Sequence, residues 1–260
     1  MIRKVLIKLF FLPLILFGQN NHELSDYDVY NNFMPSSTDS VIVHHNHYSY
    51  SYSKKFKLTE WTIYFSTKER LTGEQFPRSN NFKDDPKLKD EIVNGNASED
   101  EYRYSGYDRG HLVPARDMAF SKKALSESFY YSNMNPQLPN FNRSVNRMVE
   151  AKIRKWIIEK DSLVIITGNV FKDIKDYGVE EATFSRSQIP VPAYFYKIII
   201  DINEKSSLAL LLPHFDLEYK NWIEYICPIS SLENLTGIDF FYKLPDNLEL
   251  NFEDKHSLDD

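Results

Sequence analysis

The sequence predicts an α+β fold, on three observations. Short apolar runs rich in Ile, Val, Phe and Tyr recur between turn signals, at "SLVIITGNVF", "AYFYKIIIDI" and "SLALLLPH", and these read as strands of a central sheet. One long segment, "NRSVNRMVEAKIRKWIIEK", carries apolar residues at helical spacing instead. Strands and helices follow one another without a regular βαβ rhythm, and no internal repeat, heptad array or low-complexity block interrupts them. The chain has 260 residues, 42% of them hydrophobic and 15% aromatic, enough for the core of one domain. A charged fraction of 26% and only eight glycines exclude a collagen-like or broadly disordered chain.

Residues 1–18 read as an export signal: Arg3 and Lys4 begin it, an apolar run from Leu9 to Phe17 follows, and small Gly18 precedes the polar "QNNHEL". The run is short for a bilayer span of about 20 residues and has no basic stop, so a membrane anchor is the lesser reading. Export to a periplasm or out of the cell follows, with no stable membrane association once the signal is removed. Residues 19–40 are polar and rich in Asn, Ser and Asp, and are expected to be a flexible lead-in. One domain is expected over 41–250, and an acidic tail over 251–260.

Within the domain, "HYSYSYS" alternates large and small residues and "EWTIYFST" follows it, so both read as strands. The span from Lys68 to Glu101 reads as loop, with turn signals at Thr72-Gly73 and Asn94-Gly95. Ser121 to Met134 is helix-compatible until "PQLPN" interrupts. In the long helix Val145, Val149, Ile153 and Trp156 share one stripe, with Met148 beside it. A lone thiol, Cys227, cannot form an internal disulfide and reads as a small buried apolar residue.

The chemistry concentrates in "SGYDRGHLVPARDM", Ser105 to Met118. Histidine titrates near neutrality and is the usual base for activating water. Asp108 and Arg109 flank His111 and could orient it, and Gly110 relieves backbone crowding beside it. An ordinary surface turn is the plain alternative for so short a motif. In the following helix Asn142, Asn146, Glu150 and Arg154 stand at successive i, i+4 positions. An amide oxygen and a carboxylate suit Mg²⁺, which keeps several waters, and Arg154 could meet a phosphate. Alone, the same residues also fit a capped surface helix with a Glu150–Arg154 pair.

Together with "SNMNPQ", "FNRSVNRMVEAKIR", "VIITGNVF", "IPVPAYFYKII" and "LENLTGIDFFYKLP", the motif resembles the DNA/RNA non-specific endonucleases, over roughly Tyr48 to Asp246. The resemblance implies the ββα-metal (His-Me finger) fold, with a mainly antiparallel sheet flanked by helices. It implies hydrolysis of phosphodiester bonds in DNA, RNA or both, recognised through the phosphate backbone. By position it makes His111 the general base and Asn142 the direct protein ligand of Mg²⁺, or of Mn²⁺ in its place. Glu150 would hold metal-bound water, and Asn133 would support the histidine and the metal site. Arg109, Arg154 and Arg78 would act near the scissile phosphate, Arg78 on the weakest match. The sequence departs from the family at Asn146, where Trp is usual, and at Val149, where Leu is usual; both read as packing positions.

Other features carry less. The run His44 to His47 has no accompanying ligand cluster and reads as solvated residues at a strand entry. His214 could approach the site but reads as structural. Tyr48, Tyr50 and Tyr52 could stack bases, and fit strand packing better. The net charge of −6 argues against a nonspecific coating protein, though not against a local basic cleft. Two other functions stand beside the nuclease: an inactive homologue that binds nucleic acid or a protein, and a phosphodiesterase for other substrates.

Overall fold

A computed structural model describes residues 25–39, 41–88, 99–171, 183–184, 189–214 and 221–254. The expected export signal at 1–18 and the end of the expected tail at 255–260 lie outside these residues. Among the described residues no helix is long and apolar enough to cross a membrane.

One sheet of seven strands organises the chain, and every pairing in it is antiparallel. Its order is β1 (Ile42–His44), β2 (Tyr48–Ser53), β3 (Leu58–Thr67), β6 (Ser162–Val170), β9 (Tyr194–Asp201), β10 (Ser206–Pro213) and β11 (Ile226–Cys227). Two small pairs lie apart from it: β4 (Asp108–His111) with β5 (Met134–Gln137), and β7 (Thr183–Phe184) with β8 (Ile189–Pro190). Side chains alternate across the large sheet. In β9, Phe195 and Ile199 join the layer that contains Trp156, whereas Tyr196, Ile198 and Ile200 join the layer that contains Phe240 and Phe241. Cover on both faces is why the central strands read as nearly unbroken apolar runs.

The first layer is built by helix α5 (Arg147–Glu159) and the turn before it. Val145, Val149, Ile153 and Trp156 are buried against the sheet as the stripe predicts, and Met148 beside them is exposed. Trp156 is fully enclosed, so truncating it to alanine would cost about 3–5 kcal/mol. Tyr48, Tyr50 and Tyr52 are buried in this same core, in agreement with strand packing.

The second layer contains α1 (Asp26–Tyr30), α6 (Ile229–Thr236) and α7 (Asp246–Asp254). Here the expected lead-in is corrected. Tyr30, Phe33 and Met34 stand at i, i+3 and i+4, and all three are buried. Ser25 and Asp28 close a capping box at the start of α1, and Asp26 holds both Arg70 and His47. Few apolar residues suffice when they share one face, which a polar composition conceals. The expected tail is corrected for the same reason: α7 continues to Asp254, and Phe252 is buried with its ring 5.2 Å from that of Phe33.

Shorter helices occupy the connections. α2 (Lys68–Thr72) lies in the expected loop, capped by Thr67, and α3 (Glu99–Tyr102) follows later. α4 (Lys122–Glu127) is shorter than the helix-compatible stretch, because a 3₁₀ turn at Tyr131–Asn133 leads directly into β5.

The histidine run is corrected at His45, while His44 is exposed as expected. His45 is buried, with Nε2 2.8 Å from Asp85 Oδ2, and His44 and His47 pair with Ser49 and Asp26. His214 is structural: Nε2 accepts the Leu138 N–H at 2.7 Å and Nδ1 donates to the Pro192 carbonyl at 2.8 Å. Cys227 is half-buried in edge strand β11, and burial pushes its thiol up to about 12.

Candidate active site

β4, β5 and the helix after them make a ββα unit. The strands pair antiparallel, with Asp108 opposite Gln137 and His111 opposite Met134. A Cβ on Gly110 would lie 2.1 Å from Gln137 Cδ, and Gln137 is buried. The glycine therefore lets the two strands close on each other, rather than easing the backbone around His111.

The helix does not begin as an α-helix. Phe141–Asn146 forms a π-helical turn, which runs without a break into α5. The wider turn rotates Asn142 off the line that regular i, i+4 spacing predicts, a distortion common at functional sites. Asn142 does not cap the helix. Its Nδ2 donates to Asp108 Oδ2 at 2.9 Å, across to β4.

Asp108 is the joint of the unit. Besides Asn142, it accepts Arg143 Nε at 2.9 Å on Oδ2 and Arg143 Nη2 at 2.6 Å on Oδ1. Its side-chain hydrogen bonds go to the helix, not to the histidine that it was expected to orient. The amide nitrogen of Asn142 is engaged in this way, which leaves the amide oxygen as the atom able to take a cation. Among the described residues no group of three or more His, Cys, Asp or Glu could hold a metal. A cation here must be a hard one that keeps most of its water, and a single amide oxygen with a nearby carboxylate fits Mg²⁺ or Mn²⁺ on those terms.

His111 carries an unsatisfied ring nitrogen, beside the unsatisfied amide oxygens of Asn135 and Gln137 on β5. Its Nε2 is shielded from solvent and has no hydrogen-bond partner. The ring packs edge-on to Phe129 at 5.1 Å and tilted to Phe82 at 6.0 Å. Burial lowers its pKa to about 3, and the charges of Arg78 and Arg109 push the same way against a backbone hydrogen bond to Arg109. The imidazole is therefore neutral at neutral pH. The side-chain hydrogen bonds of Asn133 go to backbone rather than to the ring. Fully buried, Asn133 accepts the Val113 N–H at 2.9 Å and donates to the carbonyls of Val113 and Ser128, which pins the backbone just after His111.

An open cleft beside the unit is lined by Arg78, Asn80, Asn81, Phe82, Asp108, Arg109, Asn142 and Arg143. Arg109 stacks on Phe82, with Cζ 3.9 Å from the ring centroid, and Arg78 on Phe129 at 5.1 Å. Stacking leaves most guanidinium N–H groups available to phosphate oxygens. His111 does not line the cleft itself but lies against the same two aromatic rings. Sequence reasoning missed Arg143, Phe82 and Phe129. The first stands in the quoted "FNRS" block, whereas the rings carry no sequence signal of a role.

Glu150 and Arg154 stand apart from that lining. Glu150 accepts Asn146 Nδ2 at 3.2 Å and lies 3.9 Å from Arg154. Burial raises its pKa, and the buried Lys197 and Arg154 oppose the rise. Arg154 donates to buried Asp117 at 3.0 Å, and Tyr64 donates to the same carboxylate at 2.8 Å. The side chain of Arg154 is 15% exposed against 71% for Arg143, so Arg143 is the more accessible guanidinium on this helix. The phosphate contact expected of Arg154 would have to come from a guanidinium that is already held by Asp117. Val149 packs as expected, whereas buried Asn146 makes a polar contact to Glu150.

Comparison with known proteins agrees with this fold. The profile of the DNA/RNA non-specific endonuclease family matches residues 26–247. Nuclease C1 of Cunninghamella echinulata var. echinulata is 30% identical over 207 residues, covering 76% of this chain and 81% of that protein. Human mitochondrial endonuclease G is 27% identical over 202 residues, covering 74% and 67%. Among solved structures, that of an EndoG/EndoGI complex superposes with a TM-score of 0.74 at 25% identity, covering 84% of this chain and 92% of that one.

Proposed function

The chain belongs to the DNA/RNA non-specific endonuclease family, and from that premise we propose that it is an exported, Mg²⁺-dependent nuclease using His111 as general base. One observation carries the proposal. Asp108 joins Asn142 of the helix to the strand that bears His111, whose Nε2 is left without a partner. A neutral base and a hard oxygen donor thus belong to one rigid unit.

In the proposed reaction a water attacks phosphorus and gives its proton to His111 Nε2 as the new P–O bond forms. The ester P–O bond breaks, and the leaving oxygen takes a proton from solvent. Arg109, Arg78 and Arg143 offset the charge that builds on the non-bridging oxygens. Asn142 would hold Mg²⁺, or Mn²⁺, directly and Glu150 through water; the ion would supply Lewis-acid stabilisation at the phosphate. Asn146, and Arg154 anchored by Asp117, keep Glu150 in place, and Asn133 keeps the His111 segment in place. Contacts to phosphate carry no base information, which supports indifference to sequence.

Export rests on the charged and apolar pattern of residues 1–18, and a periplasmic or extracellular destination follows from it. The test of function is incubation of the folded mature chain with DNA and with RNA, in Mg²⁺, Mn²⁺ or EDTA. Degradation that EDTA abolishes is expected. Hydrolysis of small phosphodiesters with both nucleic acids left intact would contradict the nuclease reading.

A further inference from the structure

We propose that Phe82 is a positioning residue: its ring face holds Arg109 toward the phosphate-binding cleft while the same ring buttresses His111. This rests on the nuclease reading of the site. The Arg109 guanidinium sits 3.9 Å over the Phe82 centroid, closer than any other cation over a ring among the described residues. A guanidinium stacked this way is confined in direction while most of its donors face outward. Phe82 lies 6.0 Å from the His111 ring and edge-on to Phe129 at 5.0 Å, and Phe129 in turn meets His111 at 5.1 Å.

The ring is itself firmly placed. Lys83 N–H donates to the Phe129 carbonyl at 3.3 Å, and Tyr131 N–H donates back to the Lys83 carbonyl at 3.0 Å, so the two phenylalanines are held side by side by backbone. Two residues further, Asp85 is clamped from three directions by His45, Tyr50 and Ser132, at 2.8, 2.7 and 2.6 Å. The carboxylate fixes a loop that enters the site from a distant part of the chain. Rigid support of this kind keeps a binding group within the small tolerance that phosphoryl chemistry allows.

The experiment is a double-mutant cycle of Phe82→Leu with Arg109→Gln, beside Phe82→Tyr, on the full mature chain. Two quantities are read: the Kd for a labelled oligonucleotide in EDTA, and kcat and KM for its cleavage in Mg²⁺. Phe82→Leu keeps apolar bulk and loses the ring face. It is expected to weaken binding by roughly threefold to tenfold, whereas Phe82→Tyr stays near wild type. In the Arg109→Gln background Phe82→Leu should weaken binding no further, because the cation is gone. Additive losses, or equal losses for Tyr and Leu, with an unchanged melting temperature would overturn the proposal and leave the nuclease reading standing. A coupled cycle in binding by a wild-type chain that cuts nothing would do the reverse. A chain that neither binds nor cuts overturns both.

Discussion

Asp108 ties the helix of the site to the strand that bears His111. It holds the side-chain nitrogen of Asn142 and the fork of Arg143 at once. Asp108→Ala should therefore lower activity by about 10- to 100-fold and raise the Mg²⁺ concentration needed for half-maximal rate, since partners of a metal ligand have effects of that size. A titration of rate against Mg²⁺ checks it, and an unchanged half-maximal concentration would separate Asp108 from the metal. The histidine makes a second prediction. With its pKa lowered to about 3 by burial and then by Arg78 and Arg109, the base is already deprotonated at pH 6. The acid limb of kcat/KM for the free enzyme should fall below 6.5, the ordinary value. Arg78→Gln removes one repelling charge, so its limb should move up; a downward move in the pH–rate profile would contradict the electrostatic account. His111, Asn142 and Arg109 were legible as candidates because their sequence blocks resemble the endonuclease family, and the structure brings all three into one ββα unit. Asp108 was read as a partner of the histidine, because adjacency in sequence does not tell which way a strand side chain points.

At the scale of elements, the central strands and the buried stripe of α5 were legible because periodicity reports which face meets the core. The π-helical turn was not, because one widened turn leaves the residue types unchanged while it rotates Asn142. The buried starting helix was hidden by its polar composition, and His45 by the distance in sequence to its partner Asp85. The β4–β5 pair offers a direct test of close packing. Gly110→Ala would drive a methyl into buried Gln137, and overpacking of this kind costs about 1–3 kcal/mol. Activity should fall with it, since both strands carry the site; chemical denaturation and cleavage assays on one preparation check this. His214→Phe should likewise cost about 1–3 kcal/mol, because the Leu138 N–H and Pro192 carbonyl lose their partner inside the protein. Unchanged denaturation midpoints would contradict either account.

The whole molecule should be acid-labile. His111 and His214 have pKa values lowered by burial to about 3 and about 4, from 6.5 in the unfolded chain. Between these values the unfolded state binds more protons, so stability is complete above pH 6.5 and is lost as pH falls toward 4. Asp26 and Asp85, lowered in spite of burial by their histidine partners and, for Asp26, by Arg70, extend the loss below 3.8. Glu150 and Glu233, raised by burial, oppose it in part. The urea midpoint should be flat from pH 8 to 7 and then decline; a midpoint that rises toward pH 5 would refute this. The net charge of −6 coexists with a cleft carrying Arg78, Arg109 and Arg143, so attraction for nucleic acid is local and should weaken as salt increases. The most direct measurement is cleavage of supercoiled plasmid by the mature chain and by His111→Ala, each with Mg²⁺ and with EDTA. The account predicts nicking and degradation by the wild type in Mg²⁺ alone, and virtually none by a folded His111→Ala. Normal cleavage by that variant would contradict the assignment of the base.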